Sequence, residues 1–380
     1  MTELRILALE PYSTESHRAF LDGLESNSSH HLSRVELPGH HWKWRMRTSS
    51  LILAPLLATR WQGGERWDLI FASEYLNLCE ILALLPEGMR ELPVVTFFHE
   101  NQLTYPLQGD ERRDIHFALS HVHSIKASRK SWFNSAFHRE QFLGALPSAL
   151  KKVPDLDIAL LLEELHSSTT VQHLGTDLES AHARRFPGGD PVILWPHRWE
   201  FDKNPELMID TVLSLWDEGH RFRLRILGPE SEAGKPGLER ISQRLGDHLD
   251  VPGFIRDRSA YVASISDCDI VLSTARHEFF GLATLEAMRR GVLPVVPGDL
   301  AYPELLPPQP LETSRYLWDR PEGPGETLKR ALVAVRENLW WEERKRIVAA
   351  TDRFSWETLA SSYDDAFSSL VSGEMPASLS

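Results

Sequence analysis

The chain has 380 residues, 42% of them apolar and 25% charged, with a formal charge of −13. This length suits two domains, and the acidic balance argues against a polyanion binder that works by bulk charge, while leaving room for a local basic patch. Cys79 and Cys268 are the only cysteines and form no C-x-x-C motif, so a disulfide framework is not expected and a reducing compartment fits. No run reaches the ~20 apolar residues of a membrane helix. The N-terminus enters a strand pattern at Arg5, leaving no room for a signal peptide. A cytoplasmic protein without membrane attachment is expected.

Short β-rich runs predict strands at 5–10, 68–72, 93–98, 123–127, 170–174, 192–196, 222–228, 269–274 and 293–297. Stretches of helical periodicity separate them, among them 205–217, 235–245 and 282–290. Strand and helix alternating at this spacing predict βαβ units and parallel sheets. Runs such as Leu69-Ile70-Phe71 and Ile270-Val271-Leu272 are apolar on both faces, as strands covered by helices on both sides must be. The breaker run Phe186-Pro187-Gly188-Gly189-Asp190-Pro191 predicts a boundary at 184–191. The expected domains are 1–187 and 188–355. An amphipathic helix from Trp356 either crosses back to the first domain or packs on the second, and the tail 372–380 is expected to fray.

Three segments of the first half contain candidate chemistry. Ser16-His17 follows the first strand. Leu37-Pro-Gly-His40-His41-Trp42-Lys43-Trp44-Arg45-Met46-Arg47-Thr48 places three cations, two tryptophans and two histidines close together in an acidic chain. Lys43, Arg45 and Arg47 interleaved with Trp44 suit phosphate contacts and base stacking. The alternative is a helix start that packs its tryptophans inward. Phe98-His99-Glu100-Asn101-Gln102-Leu-Thr-Tyr105-Pro106 follows another strand, and loops leaving the C-terminal ends of parallel strands build the ligand crevice. His99 suits a hydrogen bond to a sugar hydroxyl, and Glu100 suits orienting or deprotonating an acceptor hydroxyl. The alternative is that His99, Glu100, Asn101 and Gln102 only cap a loop.

The second half contains the stronger signals. In Trp195-Pro-His197-Arg198-Trp-Glu-Phe-Asp-Lys203-Asn-Pro205, two cations sit in the loop before a helix that Asn204 and Pro205 begin. Fixed cations stabilise a departing diphosphate without a metal; the alternative is a solvated pair beside Glu200 and Asp202. Further on, a buried strand leads through Glu278-Phe279-Phe280-Gly281 into a helix bearing Glu286 and closed by Gly291. The helix N-terminus is an anion site, Gly281 permits close backbone approach, and the flanking glutamates accept hydroxyls. The order hydroxyl, diphosphate, hydroxyl suits a nucleotide sugar; the alternative is two solvated helix-end charges. The Asp155-Leu-Asp157 and Asp267-Cys-Asp269 pairs have metal-ligand spacing but read better as a helix cap and a strand entry. No metal site is expected.

The segment around Glu278 and Glu286 resembles the retaining GT-B glycosyltransferases that include glycogen synthase-like enzymes and mannosyltransferases. The resemblance implies that Glu278 contacts the donor hexose and Glu286 the ribose. It places the backbone of Phe279, Phe280 and Gly281 at the phosphates, Arg198 and Lys203 at the leaving group, and His197 among the donor contacts. Many members have a glycine pair after the first strand, where this chain has Ser13-Thr14-Glu15-Ser16. Segments 37–50, 71–85, 98–106, 195–206 and 273–306 together resemble one narrower family, the tRNA-queuosine mannosyltransferases. That resemblance implies an α/β GT-B fold, with two Rossmann-like doubly wound parallel-sheet domains facing across a cleft. It implies GDP-mannose as donor and the cyclopentenediol of queuosine in the anticodon of an aspartate tRNA as acceptor. His99 then supports the reacting centre with Arg198, Lys203 and Glu278, and His17, Glu100, Asn101, Gln102, Lys43, Trp44, Arg45 and Arg47 serve the acceptor side. No carboxylate stands out as a nucleophile, so same-face displacement with retention is expected, without cofactor, metal or protein partner. The rival readings are a retaining GT-B enzyme with a glycan, lipid or small-molecule acceptor, and a non-catalytic RNA-binding protein on that scaffold.

Overall fold

The computed structural model describes residues 2–109, 112–177, 188–229, 231–307, 315–339 and 341–373. Much of the expected boundary at 184–191, and nearly all of the tail 372–380, lie outside them. The chain divides into two compact units, Met1–Thr176 with Trp356–Ser380, and Asp177–Ser355.

The first unit has strands β1 (Arg5–Ser13), β2 (His31–Pro38), β3 (Leu69–Ser73), β4 (Val94–Phe98), β5 (Lys130–Phe133) and β6 (Thr169–Val171). They form one sheet in the order β2-β1-β3-β4-β5-β6, and every pairing is parallel. The second unit has β7 (Val192–Trp195), β8 (Arg223–Leu227), β9 (Leu249–Gly253), β10 (Ile270–Leu272), β11 (Leu293–Pro297) and β12 (Leu317–Trp318). Its order is β12-β11-β10-β7-β8-β9, again wholly parallel. Both are doubly wound α/β sheets, the architecture of GT-B domains. Leu7, Leu9, Ile70 and Leu53 fill one face of the first sheet, and Phe98, Phe133, Ile125 and Phe142 the other.

The run at 123–127 is not a strand. It forms the last turns of the helix Ile115–Ala127, which Asp114 caps by accepting the His116 N–H at 3.0 Å. Ala118, Val122 and Ile125 recur at helical spacing on its buried side. The strand lies a few residues on, at β5. Pro205–Asp217 and Lys235–Leu245 are helices with proline in their first turns. Asp157 caps the helix Ile158–Ser168 by accepting the Leu160 N–H at 3.0 Å, and the buried Asp269 accepts the Val192 N–H at 3.0 Å. Both act there as structural carboxylates.

The helix Trp356–Ser372 belongs to the first unit. The Trp356 ring lies tilted against Phe20, centroids 5.6 Å apart, and occupies the space that side chains at Gly23 and Gly175 would need. Asp364 accepts hydrogen bonds from Ser28 and Ser29, and Tyr363 donates to the His173 carbonyl at 2.8 Å. Burial of the Trp356, Tyr363 and Phe367 side chains fastens this helix at roughly 1.5–3 kcal/mol for each aromatic ring.

Candidate active site

In open parallel sheets the ligand crevice lies beyond the carboxyl ends of the strands, where the strand order reverses. The first sheet reverses between β1 and β3, the second between β7 and β10. Each point holds a group of buried charged side chains.

In the second unit the group is built around Lys203. Its ammonium donates to the His277 carbonyl at 3.2 Å and to Glu278 at 3.1 Å, and pairs with Asp202 at 3.1 Å. Three N–H donors therefore meet three acceptors. Burial opposes charge on both partners, but Glu278 and Asp202 hold the Lys203 pKa above its usual value. Burial likewise pushes the Glu278 carboxyl up, and Lys203, aided by His197, outweighs it and holds it down at about 2. His197 is buried, and burial with the Lys203 charge lowers it to about 3, so it is neutral. Its Nε2 has no hydrogen-bond partner among the described residues. Arg198 pairs with Glu200 at 3.2 Å, its side chain 53% exposed. Asn204 precedes the helix Pro205–Asp217 in a left-handed conformation, φ 52°, without a side-chain cap bond. Its Oδ1 instead accepts from Arg276 at 3.0 Å, which ties the two loops together.

Gly281 opens the helix Leu282–Arg289 at φ 90°. A Cβ there would lie 3.1 Å from Tyr302 and 3.3 Å from Leu305. The Phe279 and Phe280 side chains are buried, Phe279 edge-on to His277 at 4.2 Å, and they anchor this loop from within. Glu286 is buried with both oxygens engaged, by Arg258 at 2.8 Å and by the Tyr261 hydroxyl at 2.8 Å. Arg258 also bonds Asp177. Sequence reasoning named Asp202 only as a solvated neighbour of Lys203, whereas it is buried, and passed over Arg258 and Tyr261, which lack a motif of their own.

In the first unit Glu10 ends the regular pairing of β1. It accepts from the Tyr12 N–H at 2.8 Å, Ser73 Oγ at 3.0 Å and His17 Nδ1 at 3.0 Å. Burial works against charge on His17, yet Glu10, Glu74 and Glu100 raise it to about 9, so the ring is cationic. His99 stacks on it at 4.0 Å and 23°. Burial, with the His17 charge, holds His99 well below its usual pKa and hence neutral. Glu100 accepts from the Tyr75 hydroxyl and from Gln102 at 2.8 Å, and its own N–H donates to Glu74 at 2.9 Å. Asn101 is elsewhere: wholly buried, it accepts from the Leu103 and Thr104 N–H groups at 3.0 and 2.9 Å and staples its own loop. Glu10, Glu74 and Tyr75 went unrecognised in the sequence. The available signal was position, since Glu74-Tyr75 leaves β3 as His99-Glu100 leaves β4.

Glu10, His17 and His99 bring three ligand-type atoms within 4.8 Å of one another. Within this group Glu10 and His17 form an ion pair, and the neutral His99 ring covers it.

The basic segment begins the helix Trp42–Gln62, after His41 at φ 56°. The two tryptophans part company. Trp42 packs on Phe117 at 5.0 Å, beside Met46 and Tyr75, whereas Trp44 is 65% exposed. Lys43 is exposed. Arg45 donates to the Pro38 carbonyl at 3.2 Å. Arg47 pairs with Asp114 at 2.7 Å and lies over the Phe117 ring. No helix among the described residues is long and apolar enough to cross a membrane.

Comparison with known proteins agrees with this division. The family described as "tRNA-queuosine alpha-mannosyltransferase N-terminal" matches residues 5–176, and "Glycosyl transferases group 1" matches 178–306. The tRNA-queuosine alpha-mannosyltransferase of Drosophila melanogaster is 31% identical, over 97% of this chain and 98% of its own. A GDP-mannose-dependent alpha-(1-6)-phosphatidylinositol dimannoside mannosyltransferase of Mycobacterium tuberculosis is also 31% identical, but over 52% of this chain and 51% of its own. Among solved structures, the catalytic domain of starch synthase IV from Arabidopsis thaliana superposes with a TM-score of 0.70 at 14% identity, covering 98% of this chain and all of its own. HepE of Anabaena, in complex with UDP and glucose, gives 0.67 at 16%, covering 97% and 100%. These two share the fold. With two doubly wound units, clusters at both switch points and a full-length relative, the chain belongs to the tRNA-queuosine alpha-mannosyltransferase family of GT-B glycosyltransferases.

Proposed function

We propose that the protein transfers mannose from GDP-mannose, with retention, to the cyclopentenediol of queuosine in the anticodon of an aspartate tRNA. The observation that carries this reading is the similarity to the Drosophila enzyme along both chains' whole length, across the units that hold both clusters. In the second unit, Arg198 and Lys203 receive the charge that builds on the diphosphate as the glycosidic bond breaks. Lys203 reaches it by exchanging one of its present acceptors. Glu278, kept ionised by Lys203, accepts donor-sugar hydroxyls, and Glu286 accepts those of the ribose. The backbone at Phe279–Gly281 and the neutral His197 line the phosphates. In the first unit, His17, His99, Glu100 and Gln102 receive the acceptor diol, while Asn101 shapes the loop that carries two of them. Lys43, Trp44, Arg45 and Arg47 engage the tRNA. The acceptor hydroxyl attacks the anomeric carbon on the face the diphosphate leaves, and the departing phosphate takes its proton. Charge stabilisation by side chains makes a metal unnecessary, and a cytoplasmic location fits the reducing-compartment composition.

The test is transfer from radiolabelled GDP-mannose to queuosine-containing tRNA, beside the same tRNA with unmodified guanine. Label is expected on the queuosine tRNA alone. Donor hydrolysis without transfer to either tRNA would leave a GT-B enzyme with another acceptor. No donor turnover at all would overturn the assignment of GDP-mannose.

A further inference from the structure

We propose that Glu74 is a positioning residue of the first-unit site and works there as a neutral, protonated acid, giving the site a proton-dependent latch on the Glu100 loop. The proposal rests on the acceptor-site reading given above. Glu74 is the first residue past β3 and only 1% exposed. Its neighbours serve other carboxyl groups, Ser73 donating to Glu10 and Tyr75 to Glu100. Glu74 itself accepts one hydrogen bond, from the Glu100 N–H to Oε1. Its Oε2 is buried and has no partner among the described residues.

The charges that face it come from three other elements. Glu10 comes from β1, His17 from the helix Glu15–Asn27, and Glu100 from the loop after β4; the neutral His99 belongs to that same loop. His17 is the cation of the group, and its Nδ1 is taken by Glu10. An ionised Glu74 is thus a further buried carboxylate with neither a counterion of its own nor a donor at Oε2, and such a group is strongly disfavoured. Protonation removes the charge, which is the larger cost of burial. The electrostatics agree: burial, opposed by His17 and reinforced by Glu10 and Glu100, pushes the Glu74 carboxyl up to about 8. Neutral Glu74 keeps hold of the Glu100 N–H and so fixes the side chain that Tyr75 and Gln102 share. Loss of the proton forces Oε2 to find a donor, and water or His17 can supply one only by disturbing the loop or the Glu10–His17 pair.

The sign of the stability effect follows from linkage. The folded pKa lies above the unfolded value, so folding favours the proton and stability falls as pH rises from 4.5 to about 8. The full-length protein, Glu74→Ala and Glu74→Gln would be compared in two ways. One is kcat/KM for queuosine tRNA at saturating GDP-mannose, across about pH 6–10; the other is Tm against pH. Glu74→Ala is expected to lower kcat/KM about a hundredfold without changing KM for GDP-mannose. Glu74→Gln, which keeps the acceptor and supplies a neutral donor, is expected to recover most of that loss. It should also remove the alkaline limb near 8 that Glu74 itself supplies. Its Tm should match the wild type in acid and exceed it increasingly above neutrality. A Glu74→Gln variant as impaired as Glu74→Ala, or one that keeps this alkaline limb, would overturn the proposal. A Tm difference that does not grow with pH would overturn it too. If the wild type glycosylates no tRNA, the acceptor reading fails, and the Tm comparison still decides whether Glu74 is neutral.

Discussion

At Lys203 the stability of the second unit and the proposed chemistry depend on one side chain. It sits between Asp202 and Glu278, both largely buried, and it is the cation that keeps Glu278 ionised there. Removing one member of a buried ion pair leaves an uncompensated charge, at a cost of about 3–5 kcal/mol. Lys203→Ala is therefore expected to lose stability by that order in denaturant titration, and to lower kcat about 10²–10³-fold in the fraction that folds. A variant of unchanged stability and near-normal turnover would refute both roles. The pair also has a pH signature. The Glu278 pKa is depressed in the folded state, so its stabilisation is complete above 4.5 and disappears as pH falls toward about 2. Glu278→Gln should flatten the acid limb of the stability curve in that window and leave its neutral plateau without the pH dependence of the pair.

At the scale of elements, the turn into the helix Leu282–Arg289 makes the sharpest demand on sequence. Gly281 has φ 90° with Tyr302 and Leu305 just beyond where a Cβ would stand. Gly281→Ala therefore suffers left-handed strain of about 1–2 kcal/mol together with a shift of the Tyr302 ring. The expected result is a lower Tm and weaker GDP binding by calorimetry; unchanged binding would remove the loop from the donor site. This turn was legible in the sequence because glycine, helix periodicity and a buried strand adjoin one another. The helices Pro205–Asp217 and Lys235–Leu245 were legible for a related reason, with proline marking where each begins. Edge strands were not. β2 carries Ser33, Arg34 and Glu36 on an open flank, and β9 contains Pro252, so neither shows the two-sided apolar run of a central strand. The first-unit cluster was half legible. His99 and Glu100 announce themselves by following a strand, but Glu10 and Glu74 look like ordinary strand-end charges. They become site residues only because β1, β3 and β4 are neighbours in the sheet, an order that local sequence does not encode.

The whole molecule carries −13 while its proposed acceptor is a polyanion. Long-range repulsion therefore opposes association, and attraction must come from a local patch acting within a Debye length, about 10 Å at 0.1 M salt. The start of the helix Trp42–Gln62 offers such a patch, and its residues are unequal. Lys43 is exposed, and Trp44 presents an open ring. Arg47 is already paired with Asp114, so a phosphate gains less from it. Trp42 is committed to Phe117, Met46 and Tyr75. Each substitution then has its own signature in tRNA binding measured over a range of salt. Lys43→Ala is expected to weaken binding and to reduce the slope of log K against log salt by about 1. Trp44→Ala is expected to cost about 1–3 kcal/mol of stacking at an unchanged slope. Arg47→Ala should have a smaller effect than Lys43→Ala on both, because its charge is shared with Asp114. Trp42→Ala should act through Tm rather than through affinity at a given folded fraction. If Lys43 and Trp44 are both silent and transfer is indifferent to salt, this face does not meet RNA, and a glycan, lipid or small-molecule acceptor becomes the better reading of the first-unit cluster.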